Sequence, residues 1–123
     1  MEFDELSNRV IGCAIEVHRV LGPGLLESSY KQRLAYELSS EGIAFQVQHP
    51  QPVQYKGIQL DCGFRIDILV ENRLILELKS VDSLKGIHES QLLTYMKLAR
   101  IKIGLLINFN NTRLKDGIKR FVL

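Results

Sequence analysis

The stretch FRIDILVENRLILELK, residues 64–79, leaves little freedom in how this chain folds. On either side of Glu71, Asn72 and Arg73 it alternates with period two, the spacing of a strand whose successive side chains point to opposite faces. Phe64, Ile66, Ile68 and Val70 share one face of the first strand, with Arg65, Asp67 and Leu69 on the other. In the second, Leu74, Leu76 and Leu78 oppose Ile75, Glu77 and Lys79. Each strand therefore has one wholly apolar face. A three-residue turn pairs Val70 with Leu74 and keeps those faces together, whereas a two-residue turn sets Asp67 against Leu78 and mixes them. The hydrophobic pattern selects the first register. Counting outward, Asp67 falls directly opposite Glu77.

Directly opposed residues have β-carbons roughly 5 Å apart, and like charges so placed are destabilising. At an effective dielectric near 20, two full charges at that distance repel by about 3 kcal/mol, a large fraction of a small domain's stability. Two compensations fit the residues equally well. Either Arg65 and Lys79 neutralise the carboxylates or the sheet face is open to water, or a divalent cation sits between them, held by oxygen ligands of the kind magnesium prefers. Structural ion pairs also create such clusters, so the charges alone do not decide.

Around this hairpin the periodicity changes. Leu6, Val10, Ala14, Val17 and Leu21 recur at helical steps from Asp4 onward, until Gly22, Pro23 and Gly24 stop the helix. A second helix from about Leu25 repeats Leu26, Tyr30, Leu34 and Leu38 and ends before Gly42, forming a helical hairpin with the first. Pro50 and Pro52 break the stretch from Ala44 to Tyr55 into short strands or an edge strand, and residues 57–70 read as the strand that enters the hairpin. A third helix over about His88–Arg100 leads into IKIGLLINF, apolar enough for a strand covered on both faces. The last ten residues suit a short helix or an edge strand. The order predicts an α/β (mixed α+β) fold, a central mixed sheet flanked by helices.

The chain's 123 residues, 46% of them hydrophobic, fit one domain, 1–123, with a real core. The acidic opening and the lack of a long apolar run predict a soluble, cytoplasmic protein without a membrane. Cys13 and Cys62 form no C-x-x-C pair and are expected to be reduced. The net charge of +2 hides an asymmetry: residues 97–123 hold seven of the sixteen Lys and Arg and a single acid, Asp116. This basic C-terminal segment would suit a polyanionic partner, although such runs are more often just solvated surface. No G-x-S-x-G, P-loop or H-E-x-x-H motif offers a rival chemistry.

Asp67, then Glu77, Leu78 and Lys79, resembles the D…(D/E)-x-K signature of the PD-(D/E)XK nucleases, the restriction-endonuclease-like superfamily, with Ile66 where the name has proline. GLLESSY, residues 24–30, resembles the G-x-x-E-x-x-Y hallmark of the GxxExxY branch of that superfamily; the flanking GPGLLESSYKQRLAYEL, ELKSVDSL and the closing LLINFN and LKDGIKRFVL are also similar. The resemblance implies a restriction-endonuclease-like core and metal-dependent phosphodiester hydrolysis. It assigns Asp67, Glu77 and Glu27 to metal, with Mg²⁺ or Mn²⁺ as cofactor, and Lys79 to the attacking water and the phosphate charge. Glu27 also reads simply as an acid complementing a helix N-terminus, and Lys79 as a salt bridge to Glu77. Tyr30, Gln91 and Tyr95 are implied as substrate-binding or supporting residues; Gln91 and Tyr95, four apart, share a helical face. His88, one turn before Gln91, reads as a surface histidine. The implied partner is nucleic acid, DNA ahead of RNA, and a nuclease this small often needs a homodimer to meet two strands. The alternative is a catalytically weak nucleic-acid-binding or partner-dependent module on the same fold.

Overall fold

The computed structural model describes residues 4–123, so the first three residues of the expected domain lie outside the described residues. Helix α1, Glu5–Leu21, begins where Asp4 caps it, with Oδ2 accepting the Ser7 amide at 3.0 Å. It buries Leu6, Val10, Ala14 and Val17, the stripe read from the sequence, and ends at Gly22, whose φ of 69° suits glycine. Helix α2, Glu27–Ser40, buries Tyr30, Leu34 and Leu38 against the same core.

Strands β1 (Phe45–Pro50), β4 (Arg65–Val70), β5 (Leu74–Lys79), β6 (Ile103–Asn108) and β7 (Ile118–Val122) form one five-stranded sheet in the order β1-β4-β5-β6-β7. All neighbours are antiparallel except β5 and β6, which are parallel and joined by helix α3, Gly86–Ala99. A parallel pair needs such a crossover, and the helix covers the sheet face it crosses. Two apolar layers result. Ile68, Val70, Leu74, Leu76 and Leu78 pack with α1 and α2, while Leu69, Ile75 and Leu106 pack with Leu92 and Met96 of α3. The mixed sheet flanked by helices is the expected architecture.

The hairpin has the register that the apolar pattern selects: Val70 pairs with Leu74, Leu69 with Ile75 and Ile68 with Leu76. Glu71 and Asn72 turn with positive φ, and the Arg73 amide donates to Val70 O. Strict alternation fails at one place. Ile66, expected beside Ile68 and Val70, packs instead with Leu69 and Ile75 on the α3 side. The ladder is interrupted at Asp67, and Gln48, which faces it from β1, has a φ of 51°. The face therefore switches at that point.

Residues 57–70 are not one strand. Ile58–Leu60 (β3) pairs with Val53–Tyr55 (β2) in a separate two-stranded arm, and an Asx-type turn, with the Gly63 amide on Asp61 Oδ1, separates it from β4. The C-terminal segment takes both readings in succession, a 3-10 turn at Leu114–Gly117 and then edge strand β7. Cys13 and Cys62 are both free thiols. No helix among the described residues is long and apolar enough to cross a membrane.

Candidate active site

The β4–β5 ladder stops at Ile68 and Leu76, and at the next residues outward, Asp67 and Glu77, side chains take over its bonds. The Asp67 amide donates to Glu77 Oε2 at 2.8 Å, and the Leu78 amide donates to Asp67 Oδ2 at 2.8 Å. Each carboxylate thus bonds the other strand's backbone, so the two are held crosswise at the point where β4 and β5 part. A backbone amide thus anchors one oxygen of each carboxyl group.

The repulsion between them is resolved by groups that hydrophobic patterning does not point to. Arg65 lies 3.9 Å from Asp61 and donates to the neighbouring carbonyl of Phe64, so it does not neutralise Asp67. The cation on Asp67 is Lys31 of α2, with Nζ 3.1 Å from Oδ1 and both side chains largely enclosed. Glu77 is buried at 3% exposure. Burial first, and then the Asp67 charge, push its carboxyl from 4.5 up to about 8, against the opposing pull of the Asp67 amide, Lys79 and Lys31. At neutral pH that raised value favours the protonated Glu77 carboxyl. Lys79 forms no salt bridge among the described residues, so the alternative reading of a direct pair with Glu77 is not seen there; only its field reaches that carboxyl.

The G-x-x-E-x-x-Y stretch builds the other wall. Gly24 turns the chain at φ 100°, open to glycine and strained for other residues. Tyr30 is fully buried and stacks on Phe109, with ring centroids 4.5 Å apart. Its hydroxyl donates to Gly22 O at 2.6 Å and accepts the Leu25 amide at 3.1 Å. Tyr30 therefore braces the loop, and its side chain has no exposed surface. Ser80, just past β5, donates to Leu25 O and ties that loop to the end of the lysine strand. Glu27 opens α2 beside this tie, but no three of the His, Cys, Asp and Glu side chains among the described residues come together as a metal-holding group. The α2 side chain that reaches Asp67 is Lys31, one helical turn beyond Glu27 on the same face.

From the opposite side, α3 brings Tyr95. Its hydroxyl accepts from Gln91 Nε2 at 3.2 Å, and its ring tilts against Phe64 with centroids 6.3 Å apart. Burial raises the Tyr95 hydroxyl pKa; the Gln91 bond opposes this, and the charges of Glu77 and Asp67 add to it, which locates Tyr95 within electrostatic reach of the pair. Gln91 and Tyr95 also line an apolar groove with Phe64 and Ile87. His88 serves the helix start, its Nδ1 accepting the Lys85 amide at 3.0 Å.

Asn108 is a supporting residue that the motifs do not mark. Buried at 2% exposure, it accepts the Val81 amide on Oδ1 and donates from Nδ2 to Val81 O, clamping the chain two residues beyond Lys79. A buried amide in an otherwise apolar strand was the available signal.

Two opposed carboxylates are hard oxygen donors that suit a divalent ion such as Mg²⁺, which commonly takes one or two carboxylates and fills its remaining positions with water or substrate phosphate. Searches of curated proteins and of solved structures gave no match. The family model described as the PD-(D/E)XK nuclease superfamily matches residues 4–121, a span that includes Glu27, the crossed carboxylates and the lysine that follows them. The chain belongs to the PD-(D/E)XK nuclease superfamily.

Proposed function

We propose that this protein is a metal-dependent nuclease that hydrolyses phosphodiester bonds, with DNA the substrate to test first and Asp67, Glu77 and Lys79 as its catalytic set. The observation that carries the reading is the crosswise carboxylate pair, held by backbone amides of opposite strands, with Lys79 two residues along β5 from Glu77. Asp67 and Glu77 would hold the ion. A divalent cation bound there supplies Lewis acidity and lowers the pKa of a water.

The chain's own groups do the rest. Fixed amides keep both carboxyl groups in place, so little reorganisation is required as charge develops. Lys79 carries a positive charge free of any salt bridge among the described residues and adds it where the phosphate gathers negative charge. Tyr95 and Gln91 wall the site from the α3 side. Glu27, at the start of α2, is a positioning acid in this reading, not a member of the ligand pair.

One observation favours the alternative, a nucleic-acid-binding module with little turnover: Lys31 already occupies Asp67. Cleavage of labelled DNA and RNA with Mg²⁺ or Mn²⁺ separates the two readings. Purified protein should cut only with metal, Asp67→Asn and Glu77→Gln should abolish cutting, and Lys79→Met should lower it roughly 100- to 1000-fold while leaving the melt intact. Binding without metal-dependent cutting in the wild type would put the module reading first.

A further inference from the structure

Lys31 lies outside the D…E-x-K signature, yet it makes the one salt bridge to the carboxylate pair among the described residues. Asp67 Oδ2 is tied to the Leu78 amide, which belongs to β5 and cannot turn away. Oδ1 is the oxygen without a backbone bond, and it is the one Lys31 holds at 3.1 Å. An ion bound to that oxygen at about 2.1 Å would stand within roughly 5 Å of an ammonium left in place. The lysine stem is flexible and its side chain retains 16% exposure, so the head can leave Asp67 for solvent without moving α2.

We propose that Lys31 is a displaceable internal cation: it holds Asp67 in the metal-free protein and is expelled from that carboxylate when a divalent ion binds. The inference rests on the metal-site reading above and adds a competitor to it. Lys31 stabilises the metal-free pair and sets the concentration at which metal loads. An arginine at the same place would grip the carboxylate with a planar fork and compete harder.

The experiment is calorimetric titration of Mg²⁺ and Mn²⁺ into wild type, Lys31→Met, Lys31→Arg and Lys79→Met, alongside the ¹⁵N spectrum of the lysine ammonium groups. The Lys31 signal is identified by its loss in Lys31→Met and in Lys31→Arg. Metal should bind Lys31→Met at least about tenfold more tightly than wild type, and Lys31→Arg several-fold more weakly. Lys79→Met, which removes an equal charge without a salt bridge, should change affinity much less. In the wild type the Lys31 ammonium signal should shift or broaden towards exchange with water as metal saturates. An unmoved signal at saturation overturns the proposal. Equal effects of the two methionine variants, with Lys31→Arg like wild type, also overturn it, because general charge then explains the affinities. Should Lys31→Met fail to fold, the arginine variant and the wild-type spectrum still decide. Absence of metal binding in every variant overturns both this inference and the nuclease reading, whereas binding with an unmoved signal overturns only this one.

Discussion

Glu77 is the residue whose ionisation the fold changes most visibly. Its carboxyl is raised from 4.5 to about 8 by burial and by Asp67, so the native state keeps a proton that the unfolded chain releases. Stability of the metal-free protein from this group is greatest below about pH 4.5 and falls as pH rises towards 8, because the native state binds more protons across that window. Urea melts at successive pH values should show this decline, and Glu77→Gln should flatten it; an unchanged slope in the variant would assign the effect elsewhere. The hairpin register that brings Asp67 and Glu77 together was legible in the sequence, because register in a half-apolar hairpin is fixed by which side chains must be buried. Lys31 was not, since its partner lies 36 positions away on another element and no local periodicity encodes that contact. Glu27 and Tyr30 were visible as a spacing, but the spacing could not separate a ligand from a tyrosine that braces a loop.

At the level of elements, two tightly packed places hold the site's walls. Gly104 of β6 lies under α3, and a β-carbon there would meet Met96 Sδ at 2.6 Å and Leu92 Cδ1 at 2.9 Å. Gly104→Ala should therefore destabilise the fold by about 1–3 kcal/mol, the range for overpacking, measured as a lowered urea midpoint. On the other wall, Tyr30→Phe keeps the stack on Phe109 but removes the partner of Gly22 O and the Leu25 amide. A loss of about 1–3 kcal/mol is expected for groups left unsatisfied; a neutral melt would mean that water replaces the hydroxyl. The three helices and the central strands were readable because long periodic stretches report which face is buried. The β2–β3 arm is hard to part from β4 by sequence, since GIQL and FRIDILV are both apolar and only the turn at Asp61–Gly63 divides them. The start of α3 at Gly86 depends on the Lys85–His88 cap, a local bond that hydrophobic spacing does not register.

Across the whole molecule, the cations of the basic segment 97–123 prove to be scattered over more than one surface. Lys119 pairs with Glu89 at 2.7 Å, and Arg120 with Asp4 at 2.8 Å, so two of the seven cations join chain segments. Arg100 and Lys102 stand before β6, whereas Lys79 pairs in register with Asn108 at its other end. Six residues of strand separate these ends by about 20 Å, twice the Debye length of about 10 Å at 0.1 M salt. Arg113 and Lys115 are exposed and follow β6 at the end where Lys79 lies. If nucleic acid approaches over the carboxylate pair, the cations at that end contribute to its binding and those at the other end contribute little. Arg113→Ala with Lys115→Ala should weaken DNA binding and lower the salt slope by about 1–2, one unit or slightly less for each phosphate no longer neutralised. Arg100→Ala with Lys102→Ala should leave both within about twofold of wild type, since each charge is screened over that distance. Binding is measured by fluorescence anisotropy across a salt series, with Ca²⁺ replacing Mg²⁺ to hold cleavage down. A larger loss from the Arg100 and Lys102 pair would mean that the polyanion lies along the opposite end of the sheet, away from Asp67 and Glu77.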